Sequence, residues 1–163
     1  MDKNYITLTV NGTEYKFSVG NGYGEVAPSE TLSETLRKRL NLTGSKESCS
    51  EGACGCCTVL MNNDAVTSCM LLTVECDGKN IVTIEGLESP EFGLDPLQQA
   101  FIDEYAFQCG YCTSGFLMVC HALKTQKPQM PAEAVIEDWL QSNLCRCTSY
   151  QEIRDAVRKK LIA

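Results

Sequence analysis

Histidine is almost absent, with His121 the only one in 163 residues. Any centre that needs two imidazoles is therefore excluded. Long apolar runs are missing as well: nowhere do about 18 apolar residues follow one another, so no membrane span is expected. The opening Met1-Asp2-Lys3-Asn4-Tyr5 is polar and holds no apolar stretch of an export signal, which points to a cytoplasmic protein. Basic charge is in short supply, 14 Lys and Arg against 21 Asp and Glu for a formal net charge of −7. Without clustered cations to neutralise phosphates, nucleic acid is not an expected partner.

Cysteine is abundant instead, at eleven residues. In a chain without an export signal the thiols stay reduced, so a disulfide framework is disfavoured and metal binding or redox chemistry is indicated. The cysteines fall into two groups along the chain, which suggests two small units.

The hydrophobic pattern changes along the same division. Tyr5–Val10 alternates, Asn11-Gly12 is a hairpin turn signal and Glu14–Val19 alternates again, predicting a β-hairpin. Ser29 or Thr31 can cap a short helix carrying Leu32, Leu36 and Leu40 near one face. Thr58–Met61 and Ala65–Ser68 read as strands around Asn62-Asn63-Asp64, and Asn80–Ile84 as a further strand. Past Gly86 a helical period sets in: Leu97, Phe101 and Tyr105; Phe116, Val119 and Leu123; Val135, Trp139 and Leu140; Ile153, Val157 and Leu161. Four helices are predicted there, with Leu87–Leu94, which includes Ser89-Pro90 and Gly93, as the boundary.

Cys49, Cys54, Cys57 and Cys69 give C-x4-C-x2-C with a distant fourth cysteine, the plant-type [2Fe-2S] ferredoxin spacing. Gly52 and Gly55 supply the permissive dihedrals with which such a loop can aim N–H groups at sulfur. The second group is Cys109-Gly-Tyr-Cys112 with Cys145-Arg-Cys147. Cys112 directly precedes one predicted helix, and Cys147 precedes another with Thr148 or Ser149 as its cap, so positive helix ends would face an anionic tetrathiolate centre.

Zinc is the main alternative, since Cys54-x-x-Cys57 and Cys109-x-x-Cys112 are also halves of zinc sites, and a zinc-stabilised interaction module stays open at this point. The pairing of a C-x2-C with a C-x-C, and of another with a lone cysteine, counts against a zinc ribbon. Cys56, Cys76 and Cys120 fit neither quartet and read as small core hydrophobes. His121 reads as a hydrogen-bonded helix residue and Trp139 as core. Gly20-Asn-Gly-Tyr-Gly24 is a turn, because it lacks the register of a dinucleotide loop and no helix follows at once. The run Arg154, Arg158, Lys159 and Lys160 reads as a solvated last helical turn.

The segments KESCSEGACGCCTV at Lys46–Val59, Ser68-Cys69, TIEGL at Thr83–Leu87, QCGYCT at Gln108–Thr113 and NLCRCT at Asn143–Thr148 carry a resemblance across nearly the whole chain. In them the sequence resembles the small iron–sulfur subunit of the molybdenum hydroxylases, the xanthine dehydrogenase, aldehyde oxidoreductase and carbon monoxide dehydrogenase family.

The resemblance implies an α+β chain: a β-grasp, ferredoxin-like domain over residues 1–86 around Cys49, Cys54, Cys57 and Cys69, and a four-helix domain over 87–163 around Cys109, Cys112, Cys145 and Cys147. It implies an electron-relay subunit without a substrate site of its own, working with a large molybdenum–pterin subunit and a medium FAD subunit in a hetero-oligomer such as a dimer of heterotrimers. By the same resemblance Gln108 contacts the pterin, Cys147 lies close to it, and electrons run from molybdenum through the second cluster and then the first to FAD. A free-standing diffusible ferredoxin is the alternative. Three positions depart from the family pattern: Ser114 where proline is usual, Ser149 where glycine is usual, and Cys56 where a small residue is usual.

Overall fold

The structure, a computed structural model, describes residues 4–88, 91, 93–129 and 131–161. Met1–Lys3, at the polar opening, and Ser89-Pro90, in the expected boundary loop, lie outside the described residues. The chain is α+β, with a five-stranded sheet followed by several helices.

Strands β1 (Tyr5–Val10) and β2 (Thr13–Ser18) form the expected hairpin. Asn11 and Gly12 both have positive φ, 50° and 79°, as the tight two-residue turn demands. Strands β3 (Thr58–Met61) and β4 (Asp64–Thr67) form a second hairpin, with Asn62 and Asn63 at φ 52° and 75°. The predicted strand at Asn80–Ile84 is shorter, β5 at Asn80–Val82. It ends there because the Asn11 side chain takes over: Thr83 N–H donates to Asn11 Oδ1 at 2.9 Å, and a 3-10 turn follows over Ile84–Leu87. The sheet order is β2-β1-β5-β3-β4, with β5 parallel to β1 and antiparallel to β3.

Thr31, rather than Ser29, caps helix α1 (Leu32–Glu34), in a reciprocal box with Glu34. The helix continues as a π-helical turn, Thr35–Arg39, closed by Leu40 N–H to Thr35 O. Leu32 and Leu36 are fully buried against Ile6, Leu8, Val10, Val59 and Ile81, and Leu40 packs at their margin. The loop Gly20–Gly24 is closed by Gly20 N–H to Val26 O, as a turn.

Helices α2 (Pro96–Asp103), α3 (Thr113–Gln126), α4 (Glu133–Leu140) and α5 (Tyr150–Leu161) follow. Tyr105 departs from the predicted period. It lies beyond α2 at φ 52° and is largely exposed, while Ala106 takes the buried position. On α4 the buried residues are Ile136 and Leu140, with Val135 and Trp139 only partly covered. The basic run on α5 is not merely solvated. Arg154 pairs with Glu137 at 2.9 Å, Arg158 with Glu133 and Lys159 with Glu104, which ties α5 to α4 and to the end of α2.

The two halves meet. Met118 and Ala122 of α3 are buried against Leu60 of β3, and Cys54 and Cys56, from the loop before β3, belong to the same apolar cluster as Phe101, Phe116 and Ile153.

Glu30 anchors the other side of the sheet. It accepts from Arg39 Nε and Nη2, each at 2.7 Å, and from Thr35 Oγ1 at 2.6 Å. The Arg39 hydrogen bond holds the Glu30 carboxyl below its ordinary value of 4.5. This stabilisation is complete above about pH 4.5 and is lost as pH falls through the lower folded-state value. Glu30→Gln is expected to cost about 2 kcal/mol at neutral pH. Denaturant unfolding at pH 7 and in acid checks it, the gap between variant and wild type closing as the pH drops.

Candidate iron–sulfur sites

The first quartet is assembled by one loop and one strand end. Cys49 and Cys54 stand on the loop between α1 and β3, Cys57 directly precedes β3, and Cys69 sits in the 3-10 turn that follows β4. Ser50, Gly52 and Gly55 all have positive φ, 54°, 75° and 69°, so the loop winds with its N–H groups inward. The backbone N–H groups of Glu51, Cys54 and Ala53 point at the Cys49 sulfur and hold that thiol at about 7, below its ordinary value. Cys69 is pushed up to about 12, first by burial and then by its contact with Cys57, while the Gly52 N–H acts the other way.

The second quartet joins two loops that the helices hold together. Cys112 caps α3 without using its side chain, Cys109 stands three residues earlier, and Cys145 and Cys147 lie between α4 and α5. Cys147 Sγ is 3.4 Å from Cys109 Sγ, and Cys112 interacts with Cys145. The Tyr111 N–H lowers Cys109, whereas burial pushes Cys112 up to about 12. A cleft of about 390 Å³, lined by Cys54, Cys56, Cys109, Cys112, Cys145 and Tyr150 among others, opens between the two loops.

The sulfurs therefore gather two by two: Cys49 with Cys54, Cys57 with Cys69, Cys109 with Cys147, and Cys112 with Cys145. Among the described residues, no three His, Cys, Asp or Glu side chains converge as they would on a single ion. A binuclear core asks for pairs, two thiolates on each iron. Two thiolates on one tetrahedral metal are about 3.8 Å apart, close to the Cys109–Cys147 spacing. Three hydroxyls beside the second quartet, Thr113 Oγ1, Ser114 Oγ and Ser149 Oγ, are buried without a protein partner. Inward N–H groups, paired thiols and unpaired buried donors all fit an anionic sulfur-bridged centre.

Of the other residues singled out in the sequence, Gln108 is exposed beside Cys109. Ser149 does not cap α5 with its hydroxyl; Thr148, at φ 64°, makes the turn, so serine in place of glycine at 149 carries no left-handed strain. His121 Nδ1 has no hydrogen-bond partner and stands 4.0 Å from Asp95 Oδ2, contrary to the expected hydrogen-bonded histidine. Cys56 donates towards Cys54 O at 3.8 Å and Cys76 towards Leu72 O at 3.6 Å, while Cys120 is buried inside α3.

Sequence reasoning assigned no role to Asn143, Tyr111 or Tyr150, although each lies in or beside a cysteine motif. Tyr111 Oη donates to Glu47 O at 2.7 Å, Tyr150 Oη accepts from Cys145 N–H at 2.7 Å, and Asn143 Nδ2 donates to Gly55 O at 2.9 Å.

Two family models match the chain. One, described as "2Fe-2S iron-sulfur cluster binding domain", covers residues 8–81, and the other, "[2Fe-2S] binding domain", covers 83–158. The chain is 42% identical to a probable xanthine dehydrogenase subunit of Bacillus subtilis (strain 168), over 96% of this chain and 85% of that protein. It is 44% identical to the nicotine 6-hydroxylase small subunit of Paenarthrobacter nicotinovorans, over 96% and 88%. In structure it is similar to a chain of quinoline 2-oxidoreductase from Pseudomonas putida 86, with TM-score 0.86 and 35% identity over 97% of this chain and 92% of that one.

Gly55 is the tightest point of the first loop. A Cβ there would lie 2.6 Å from the Asn143 side chain and from Ser142 O, in a left-handed backbone. Gly55→Ala is expected to cost about 2–3 kcal/mol. Gly12→Ala, where a Cβ meets nothing within 4 Å, should cost only the left-handed strain, about 1 kcal/mol. Thermal unfolding of the two variants side by side separates crowding from strain.

Proposed function

The chain belongs to the family of small iron–sulfur subunits of the molybdenum hydroxylases, and we propose that its two cysteine quartets carry the two clusters of that subunit. Its role is electron transfer within a molybdenum-dependent oxidoreductase of the xanthine dehydrogenase type, and its cofactors are two [2Fe-2S] clusters. The zinc alternative falls with the family match.

The observation that carries the assignment is the pairing of eight of the eleven thiols within two groups, each gathered from two neighbouring segments of the chain. Cys49, Cys54, Cys57 and Cys69 would hold the first cluster, within a β-grasp unit over residues 1–86. Cys109, Cys112, Cys145 and Cys147 would hold the second, in a four-helix unit over 87–163. When bound, the clusters supply one-electron carriers; the protein supplies thiolates, inward N–H groups and exclusion of water.

The second quartet reaches the surface: Cys109 is exposed and Cys147 half-buried, and the large apolar side chains Tyr111 and Leu144 in the same motifs, and Phe107 just before the first, are exposed. This supports the large molybdenum–pterin subunit as the partner on that face, with Gln108 and Cys147 as the residues nearest the pterin. The face around Cys49, with Ser50 and Met70 exposed, is left for an FAD-bearing subunit. Among the described residues no helix is long and apolar enough to cross a membrane.

The test is electron paramagnetic resonance of the anaerobically purified, dithionite-reduced chain with iron and sulfide analysis. Two distinct S = 1/2 signals and about four irons per chain are expected. Cys109→Ser or Cys147→Ser should remove one signal and leave the other. Loss of both signals together would refute the division into two quartets, and a silent spectrum with bound zinc would refute the assignment itself.

A further inference from the structure

The two ligand loops are joined at one small junction. Asn143, 2% exposed, lies two residues before Cys145. Its Nδ2 donates to Gly55 O at 2.9 Å, and Gly55 lies between Cys54 and Cys57. The neighbouring Leu144 N–H donates to Cys54 O at 3.0 Å. The orientation of the amide is determined, because Gly55 O can only accept and therefore takes the Nδ2 group; Ser142 Oγ, 2.9 Å from Asn143 Oδ1, has one proton to share between that oxygen and Trp139 O. Ser142 Oγ is itself within 2.7 Å of Trp139 O at the end of α4.

The junction also has no room to move. A Cβ on Gly115, in the first turn of α3, would fall 2.3 Å from Gly55 O and 2.5 Å from Asn143 Nδ2. Three segments thus meet at one amide: the loop of the first quartet, the helix that starts at Cys112, and the loop that carries Cys145 and Cys147. Gly55 O has two other donors, Thr58 N–H at 3.1 Å and Thr58 Oγ1 at 2.7 Å, both from the start of β3 three residues on. The Asn143 bond is not needed to satisfy that carbonyl, so its distinctive effect is to cross between the loops.

We propose that Asn143 is a positioning residue whose side chain fixes the separation between the two cysteine-bearing loops, and hence between the two clusters they hold. This rests on the two-cluster reading above. Side chains held by packing and by outer hydrogen bonds keep a site rigid, and a site is loosened when that support is removed. Asn143→Ala removes the crossing bond and leaves all eight cysteines in place. Asn143→Leu removes the same bond and keeps nearly the same side-chain volume, so it leaves no cavity at the junction.

The readout is the magnetic interaction between the two S = 1/2 centres in the fully reduced full chain, seen at low temperature as splitting or as enhanced relaxation, because it depends steeply on their separation. The proposal expects Asn143→Ala to retain about four irons per chain and both individual signals, yet to lose or broaden the interaction. Wild-type interaction in a fully loaded Asn143→Ala chain overturns it. Should Asn143→Ala fail to load both quartets, Asn143→Leu decides: a weakened interaction supports the proposal and an unchanged one overturns it. A wild-type chain without iron refutes the two-cluster reading itself and takes this inference with it, an outcome that the iron count separates from the others.

Discussion

A backbone that turns its N–H groups inward must turn its carbonyls outward, and most of this structure follows from that constraint on the loop Cys49–Cys57. The left-handed residues Ser50, Gly52 and Gly55 bring N–H groups of Glu51, Ala53 and Cys54 to bear on the Cys49 sulfur. The price is a row of outward carbonyls in a partly buried loop, where an unmet acceptor costs about 1–3 kcal/mol. Each finds a donor. Leu144 N–H takes Cys54 O, Asn143 and Thr58 take Gly55 O, Lys46 N–H takes Cys56 O, and Ser68 takes Cys57 O. Two of these donors come from the helical half, so the same turn that shapes the first quartet also recruits the segment that bears the second.

Packing reinforces this. Cys54 and Cys56 are buried among Phe101, Phe116, Leu140 and Ile153, and α3 lays Met118 and Ala122 on Leu60 of the sheet. The helical half therefore completes its core with residues of the loop, and the loop satisfies its carbonyls with residues of the helical half. The ion pairs of Arg154 and Arg158 with α4, and of Lys159 with Glu104, close the helices around that shared core. Exposed pairs of this kind stabilise little individually, but here they link elements distant in sequence.

How much of this was legible in the sequence depended on whether the signal was local. Both hairpins announced themselves through Asn-Gly and Asn-Asn turns, and the cysteine spacings marked the two groups of thiols proposed as ligands. The helices past Gly86 were visible in their period, since Phe101, Phe116 and Ile153 recur at helical intervals. Tyr105 fitted the same period and yet lies outside α2, because the chain turns left-handed there and Ala106 takes the core position. The cap expected from Thr148 or Ser149 forms only in part: Ser149 O accepts the first helical bond from Ile153 N–H, but Thr148 adopts the positive φ and the Ser149 hydroxyl is left buried and unpaired. Asn143 was in plain view inside a motif, but its role depends on a partner 88 positions away. Long-range partners of single polar side chains leave no periodic trace.

The three remaining cysteines show what makes a ligand. Acidity alone does not separate the classes, since burial pushes Cys56 and Cys120 up to about 12 and Cys76 up to about 11, yet Cys69 and Cys112 also reach about 12. Their neighbours do separate them. Each of the eight proposed ligands interacts with another cysteine of its own quartet, whereas Cys76 turns to the Leu72 carbonyl and Cys120 is enclosed in α3; Cys56 is intermediate, close to the Cys54 side chain but donating towards the Cys54 carbonyl. A thiol that faces a carbonyl gains by keeping its proton as a weak donor. Thiols that face one another repel once ionised, and a cation that replaces their protons removes that repulsion, so the arrangement of the eight favours metal binding while the carbonyl-facing Cys76 and the enclosed Cys120 favour the neutral thiol.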